Sequence, residues 1–335
     1  MTPGRIWTQS LAPMAGGLAL VAALGWALPS SSESYLAYVA GLAGINVVLA
    51  VSLNLINGVT GQFSLGHAGF MAVGGYVAAG ITTAIGGEYQ LSFLPSAASD
   101  ALLFFGASLA GGVAAGLAGF VVGLPSLRLR GDYLAIVTLG FSEIIRVVIE
   151  NLQITGGATG LIGIPASTTL SWIFFWVFVV VLVSKRLVAS THGRALLAVR
   201  EDEVAAEAMG VNTTRYKVKA FVVSSFFAGV AGALLGHYLQ ILSPKDFTFV
   251  KSIEVVAMVV LGGLGSISGA VMAAVVLTIL PEALRPLQDY TGVDLRMVIY
   301  AGLLVVLMLV RPKGILGSRE LWDLRRRTRK AEPST

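Results

Sequence analysis

Three observations predict an all-α integral membrane protein, a polytopic bundle of about ten transmembrane helices with broken or re-entrant segments near 58–64 and 262–268. Of 335 residues, 56% are apolar and 12% charged, about half the ~25% charge that a water-facing domain carries. The mean hydropathy is +0.82, and the apolar residues fall in runs of about 20, the length that crosses a ~30 Å hydrocarbon layer. Glycine, at 40 residues, is roughly 12% of the chain against a usual ~7% and follows no collagen period. Such an excess suits closely packed membrane helices. An ordinary soluble enzyme is excluded. Disulfides and thiolate metal sites are excluded too, since there is no cysteine.

Candidate spans lie at 11–28, 35–57, 64–85, 101–124, 133–152, 170–188, 217–241 and 296–310, with a longer stretch from Ile253 to Leu284. The first reads as a retained span, because only Arg5 precedes it and Trp26-Ala-Leu-Pro29 is a poor cleavage site. The second ends at Asn57-Gly-Val-Thr-Gly-Gln-Phe-Ser64, and Leu261-Gly-Gly-Leu-Gly-Ser-Ile-Ser268 interrupts the last stretch in the same way. Both contain Gly-x-x-Gly-x-x-Ser: Gly58, Gly61, Ser64 and Gly262, Gly265, Ser268. Irregular backbone at membrane depth is tolerated where it is buried in protein or lines a cavity, and broken helices commonly form a transporter's substrate path. Short cytoplasmic turns are the alternative. In the spans at 101–124 and 217–241, small residues recur every fourth position: Ala107, Gly111, Ala115, Gly119, Gly123 and Ser224, Ala228, Gly232, Gly236. These stripes are read as packing faces.

The positive-inside rule sets the orientation. Arg5, Arg128, Arg130, the seven basic residues around 189–216 and the eight of the tail make 18 of the 23 Lys and Arg. All fall on one side if the N-terminus is cytoplasmic, and the alternate connections 29–34, 86–100 and 153–169 hold none. The loop at 189–216 and the tail then require an even number of crossings between them. Breaking 253–284 at Gly262–Gly265 into a short and a full crossing satisfies that parity and brings the total to ten, and a re-entrant hairpin satisfies it equally. The organisation expected is a membrane domain over 1–317, with a cytoplasmic loop at about 189–216, and a basic cytoplasmic tail over 318–335. With Trp322 beside Arg325–Arg327, the tail reads as a lipid-surface helix or a disordered polybasic end.

Glu143, Arg146 and Glu150 share one helical face, where each charge at mid-membrane costs roughly 2.5–3.5 kcal/mol. They form a structural pairing or part of a solute or proton path. His67, beside Gln62 and Ser64 at the first break, is a buried histidine or a lining residue; His237 reads as interfacial. No His, Asp or Glu cluster has metal-ligand spacing, and no phosphate-binding or nucleophile motif is present. Any energy from ATP must therefore come through a partner, and no cofactor is expected in this chain. From Asp202 the loop predicts a short helix: an acidic N-cap, Glu203 in the first turn, an Ala-rich interior and Gly210 just past its end. Leu196, Val199, Val204, Ala208, Met209 and Val211 supply apolar anchors for a partner's groove or for the membrane surface.

Several motifs in register resemble one family, the LivM-type permeases, which are membrane subunits of branched-chain amino acid ABC importers. They are Gly61-Gln-Phe-Ser-Leu-Gly-His-Ala-Gly-Phe-Met-Ala-Val-Gly-Gly-Tyr76, Arg130-Gly-Asp-Tyr-Leu-Ala-Ile-Val-Thr-Leu-Gly140 and Thr155-Gly-Gly-Ala-Thr-Gly160. The loop Gly193-Arg-Ala…Arg200-Glu-Asp-Glu-Val-Ala-Ala-Glu-Ala-Met-Gly210, Ala257–Gly269 and Arg311-Pro-Lys-Gly-Ile-Leu-Gly317 complete the match. The resemblance implies a permease half in a bacterial inner membrane. Its partners would be a second, LivH-like permease, two cytoplasmic ATPase subunits that bind ATP and magnesium, and an extracytoplasmic solute-binding protein. Coupling to the ATPases would fall on Glu203, Ala206, Glu207 and Gly210. A path role would fall on Gly61, Gln62, Ser64 and His67, with Glu143 and Arg146 as further candidates. Similar importers move urea or short amides, and an ion-coupled secondary transporter is the reading from another class.

Overall fold

The computed structural model describes residues 35–85, 96–126 and 132–284, and near the C-terminal end 302, 305–306, 309–310, 314–317 and 320. The expected first span at 11–28 and most of 296–310 and of the tail 318–335 lie outside these residues. So do Arg5, Arg128 and Arg130. The chain folds as a helical bundle with a single two-stranded pairing among the described residues.

Helix α1 (Tyr35–Asn54) continues into a π-turn at Leu55–Val59, so the apolar segment runs 25 residues. After an irregular stretch come α2 (His67–Ile85), α3 (Ser96–Ser126) and α4 (Asp132–Asn151). Helix α3 outruns the predicted 101–124 and carries Pro125 in its last turn, where ring and backbone disturb little of the helix. A connection with two 3₁₀ turns and strand β1 (Leu161–Ile162) leads to α5 (Leu170–Ala189). The loop at 189–216 holds α6 (Thr191–Glu201) and α7 (Glu203–Ala208), and α8 (Thr213–Leu239), strand β2 (Ile241–Leu242), α9 (Phe249–Gly262) and α10 (Ile267–Ala283) follow. Five segments are long and apolar enough to cross a membrane: 35–59, 67–85, 98–126, 170–189 and 213–239. The three charges of its second half set α4 apart, and α9 and α10 are shorter.

Helix α8 sits against α2 and α3 at the centre, and the small-residue stripes make that approach possible. A Cβ on Gly232 would lie 1.9 Å from the Met71 carbonyl oxygen, and one on Gly119 would lie 2.3 Å from Ser225 Oγ. No Cβ fits at either glycine, and the close van der Waals contact this allows holds the helices together. His237 is fully buried rather than interfacial: Nε2 meets Thr82 Oγ1 at 2.8 Å and Nδ1 meets the Ala233 carbonyl at 2.8 Å. The reason is that the chain turns back into the bundle after α8. Strand β2 pairs antiparallel with β1, and Tyr76 Oη donates to the Leu242 carbonyl at 3.0 Å.

On the other side of α1, α9 and α10 form a hairpin that packs along it. Tyr35 Oη donates to Glu282 near the end of α10, so α10 runs the length of α1. Helix α9, at 14 residues, spans only about 21 Å. The stretch 253–284 thus lies in two helices, of 14 and 17 residues, joined at the glycines.

Candidate functional site

A helix that ends or breaks leaves amides and carbonyls without intrahelical partners. In the first break the chain's own side chains supply partners. The Asn57 carboxamide Oδ1 accepts the Ser64 N–H at 3.1 Å, Thr138 Oγ1 of α4 accepts the Leu65 N–H at 3.1 Å, and Ser252 Oγ of α9 accepts the Ala68 N–H at 3.1 Å. Gly61 turns the chain with φ +69°, a left-handed conformation that costs other residues roughly 1–2 kcal/mol. Ser64, Gln62 and His67 are buried, and His67 Nε2 is hydrogen-bonded to Ser52 Oγ at 2.9 Å. Gln62 Oε1, Asn54 Nδ2 and Asn57 Nδ2 are buried with no hydrogen-bond partner among the described residues. That is an unusual concentration of unmet polar capacity.

The second break is closed by the far end of the chain. The Ile315 N–H donates to the Leu261 carbonyl at 2.8 Å and the Leu316 N–H to the Gly262 carbonyl at 3.3 Å, satisfying the end of α9. At the start of α10 the Glu320 carboxylate accepts the Ile267 N–H at 2.7 Å and the Ser268 N–H at 3.0 Å. Gly263 and Gly265 take φ +109° and +89° to make the turn.

The two breaks meet. Asn54 Oδ1 accepts the Gly265 N–H at 2.9 Å, and a Cβ on Gly58 would lie 2.2 Å from Gly265 N. Arg200, at the end of α6, is joined to both. Its Nη1 donates to the Gly58 carbonyl at 3.0 Å, and a Cβ on Gly265 would lie 2.9 Å from that same nitrogen. Its Cγ lies 2.6 Å from where a Gly61 Cβ would be.

The loop around Arg200 is a built joint. Helix α6 is capped by Ser190 Oγ, which accepts the Gly193 N–H at 3.2 Å, and Leu196 packs against Leu55, Val59 and Ala220. Helix α7 begins at Asp202, whose carboxylate accepts the Val204 and Ala205 N–H groups at 2.9 and 3.0 Å, and Gly210 follows its end with φ +83°. Ala206 is buried. Glu203 and Glu207 are both tied to α8: Lys217 Nζ lies 2.6 Å from Glu203 Oε2, and Thr213 Oγ1 donates to Glu207 at 2.7 Å. The anchors divide. Leu196 and Val199 are buried in the protein itself, whereas Val204 and Met209 are 62% and 84% exposed.

On α4, Arg146 bridges Glu143 (2.7 Å) and Glu150 (2.8 Å), and Glu143 Oε1 also accepts the Phe249 N–H at the start of α9. The helix is continuous over all three residues. Sequence reasoning missed Arg200, Lys217 and a second ion pair, Lys251–Glu254 at 3.1 Å on α9. Starting that span at Ile253 left Lys251 outside it while Glu254 lay within, so the two were not read as a pair. Among the described residues no group of three or more His, Cys, Asp or Glu is placed to hold a metal.

The family of branched-chain amino acid transport system / permease components matches the chain over residues 35–308. The high-affinity branched-chain amino acid transport system permease protein LivM of Salmonella typhimurium is 36% identical over 335 aligned residues, 89% of this chain and 73% of that protein. The probable LivM of Methanocaldococcus jannaschii is 27% identical across 83% of this chain and 92% of its own. The permease protein LivH of Escherichia coli K12 is 37% identical over 132 residues, 39% of this chain and 42% of that protein. No solved structure matches the chain.

Proposed function

The chain belongs to the family of branched-chain amino acid transport permease components, a multi-pass membrane family, and from that premise we propose the role it plays in such a system. It is one membrane half of an ATP-driven importer for branched-chain or related amino acids. A second, LivH-like permease completes the membrane part, two cytoplasmic ATPases bind ATP and magnesium, and an extracytoplasmic binding protein delivers the solute. The membrane domain over 1–317 makes about ten crossings, with both termini and the basic tail 318–335 on the cytoplasmic side.

The observation that carries this reading is the Arg200 joint. Helices α6 and α7 form a small folded arm whose exposed residues, Val204 and Met209, suit a partner's groove, and whose base touches both helix breaks. An ATPase that binds the arm more tightly in one of its states biases the arrangement of the breaks, and differential affinity is the only source of such bias. Glu203, Ala206, Glu207 and Gly210 act here by holding α7 on α8 and ending it cleanly. Gly61, Gln62, Ser64 and His67 form the part of the path that opens when the breaks separate, and the unmet polar atoms of Asn54, Asn57 and Gln62 are the groups a passing solute or water would meet. Glu143 and Arg146 flank it.

An ion-coupled carrier needs a titratable group able to stand alone in one state. The charges of α4 and α9 are instead paired with one another. The test is uptake of labelled leucine into vesicles holding the assembled importer. Uptake that requires ATP and the binding protein and survives a protonophore is the expected result. Uptake that needs no ATPase and collapses with the proton gradient refutes it, and uptake of urea or a short amide in place of leucine moves the substrate class.

A further inference from the structure

We propose that Lys251 and Glu254 are a transit site for the amino acid zwitterion at the middle of the bilayer, where the solute's carboxylate and ammonium exchange with the pair. This rests on the importer reading above.

Depth comes first. The apolar segment Tyr35–Val59 has 25 residues, and Asn46 is the twelfth of them, at its midpoint. Asn46 Oδ1 accepts from Lys251 Nζ at 3.3 Å, and Asn46 Nδ2 donates to Thr278 Oγ1 of α10 at 2.9 Å. A polar chain, Glu254–Lys251–Asn46–Thr278, therefore crosses three helices at the level of the midplane. The Lys251 and Glu254 side chains are 24% and 43% exposed in this chain alone. Charges so placed do not face hydrocarbon. The exposed side of α9, which holds Ile253, Val250 and Glu254 in turn with Lys251 at its edge, must look onto protein or water; Val250 and Ile253 are about half exposed. Helix α9 also starts near this depth, after the capped 3₁₀ turn Pro244–Phe247, so it is a half-length helix of the kind that transporters use beside a solute site.

Binding capacity comes second, and it separates this pair from the triad on α4. There Arg146 is held by two carboxylates, and the remaining oxygen of Glu143 is taken by the Phe249 N–H. That group is saturated. Lys251 uses two of its three ammonium protons, at 3.1 and 3.3 Å, and Glu254 engages one oxygen. What is left is one cationic donor and one anionic acceptor on the same face, which is complementary to an α-carboxylate and an α-ammonium. Inserting a zwitterion between them keeps the local charge neutral, so no net charge is stranded in a low-dielectric region.

Two variants and one labelling experiment test this. A pair that only stabilises the fold tolerates joint neutralisation, since replacing both charges is often neutral or stabilising. In the assembled importer, Lys251→Met with Glu254→Gln is expected to leave assembly and ATP hydrolysis in place and to lower leucine uptake at least tenfold. Uptake within about twofold of the unaltered importer overturns the site. Because the chain has no cysteine, Val250→Cys and Ile253→Cys give an independent readout that leaves the pair intact. Both are expected to react with a charged, membrane-impermeant thiol reagent, more slowly while leucine is being transported. Silence at both positions, or labelling indifferent to leucine, also overturns it. Failure of the unaltered importer to take up leucine with ATP overturns the importer reading itself, and the site falls with it.

Discussion

Gly58→Ala is the sharpest test of the contact between the two breaks, because the atom it adds falls between them. Gly58 lies in the π-turn and has no left-handed φ, so its backbone suits alanine, and in a helical setting that exchange alone stabilises by roughly 0.5–1 kcal/mol. The added Cβ, however, would sit 2.0 Å from Asn54 Oδ1 and 2.2 Å from Gly265 N. The second of these is backbone, so the break around Gly265 must move as a unit. Overpacking of this kind costs typically 1–3 kcal/mol, and separating Asn54 from the Gly265 N–H adds the ~0.5–1.5 kcal/mol of a hydrogen bond. The net is a destabilisation of about 2 kcal/mol, with the breaks pushed apart. Thermal unfolding of the purified protein in detergent measures the first consequence, and ATP hydrolysis without bound solute, raised by a weakened joint, measures the second. Gly163→Ala is the control: φ is +82° with open space around the Cβ, so it carries the left-handed cost of roughly 1–2 kcal/mol and no effect on hydrolysis. If Gly58→Ala is as stable and as tightly coupled as the parent, the breaks do not touch in the working protein and the joint as described is wrong.

Arg200→Ala removes the guanidinium from both breaks, and Arg200→Lys keeps charge but not the fork that bonds the Gly58 carbonyl through Nη1 while Nη2 lies 3.0 Å from the Glu201 carboxylate. Solute moved per ATP is expected to fall several-fold in the first and less in the second; an unchanged ratio in both refutes a linking role. Val204→Asp with Met209→Asp charges the exposed side of α7 and is expected to lower ATPase co-purification at least fivefold without shifting the melting temperature of the permease. Lys217→Met strands Glu203, whose partner is nearly buried. It is expected to loosen α7, read as faster proteolysis within 201–212, and a cleavage rate equal to the parent's refutes the pinning role. Glu320→Gln exchanges a charged acceptor for a neutral one at the Ile267 and Ser268 N–H groups, which is expected to cost about 1 kcal/mol and to lower the melting temperature.

How much of this was legible in the sequence follows from where each signal resides. Spans and breaks are local properties, a run of apolar side chains or a cluster of glycines, and 35–57, 64–85, 170–188 and 217–241 agree with α1, α2, α5 and α8 to within a few residues. The cap of α7 was legible for the same reason: Asp202 and Gly210 act on their immediate neighbours. Helix α6 was not, because Thr191–Glu201 mixes charges with apolar residues whose partners, Leu55 and Ala220, are far away in the chain. Arg200 and Gly58 are 142 positions apart, and no pattern along the chain announces that encounter. Lys251 and Glu254 were passed over because charged residues lower the hydropathy by which a span is recognised. The search for apolar runs is blind to the polar groups that matter most inside a membrane.

The closure of the second break by Ile315, Leu316 and Glu320 carries a consequence for how the protein is made. The carboxylate that accepts the Ile267 and Ser268 amides lies 53 and 52 residues further along. At synthesis rates of about 5–20 residues per second, the hairpin of α9 and α10 waits roughly 3–10 s for it. During that interval only water can serve the open amides and carbonyls, so the turn at Gly263–Ser266 must stay wet while the helices around it have already entered the membrane. A segment made 52 and 53 residues later is therefore the one that dries and seals the second break, so completion of this turn lags behind insertion of the helices it joins.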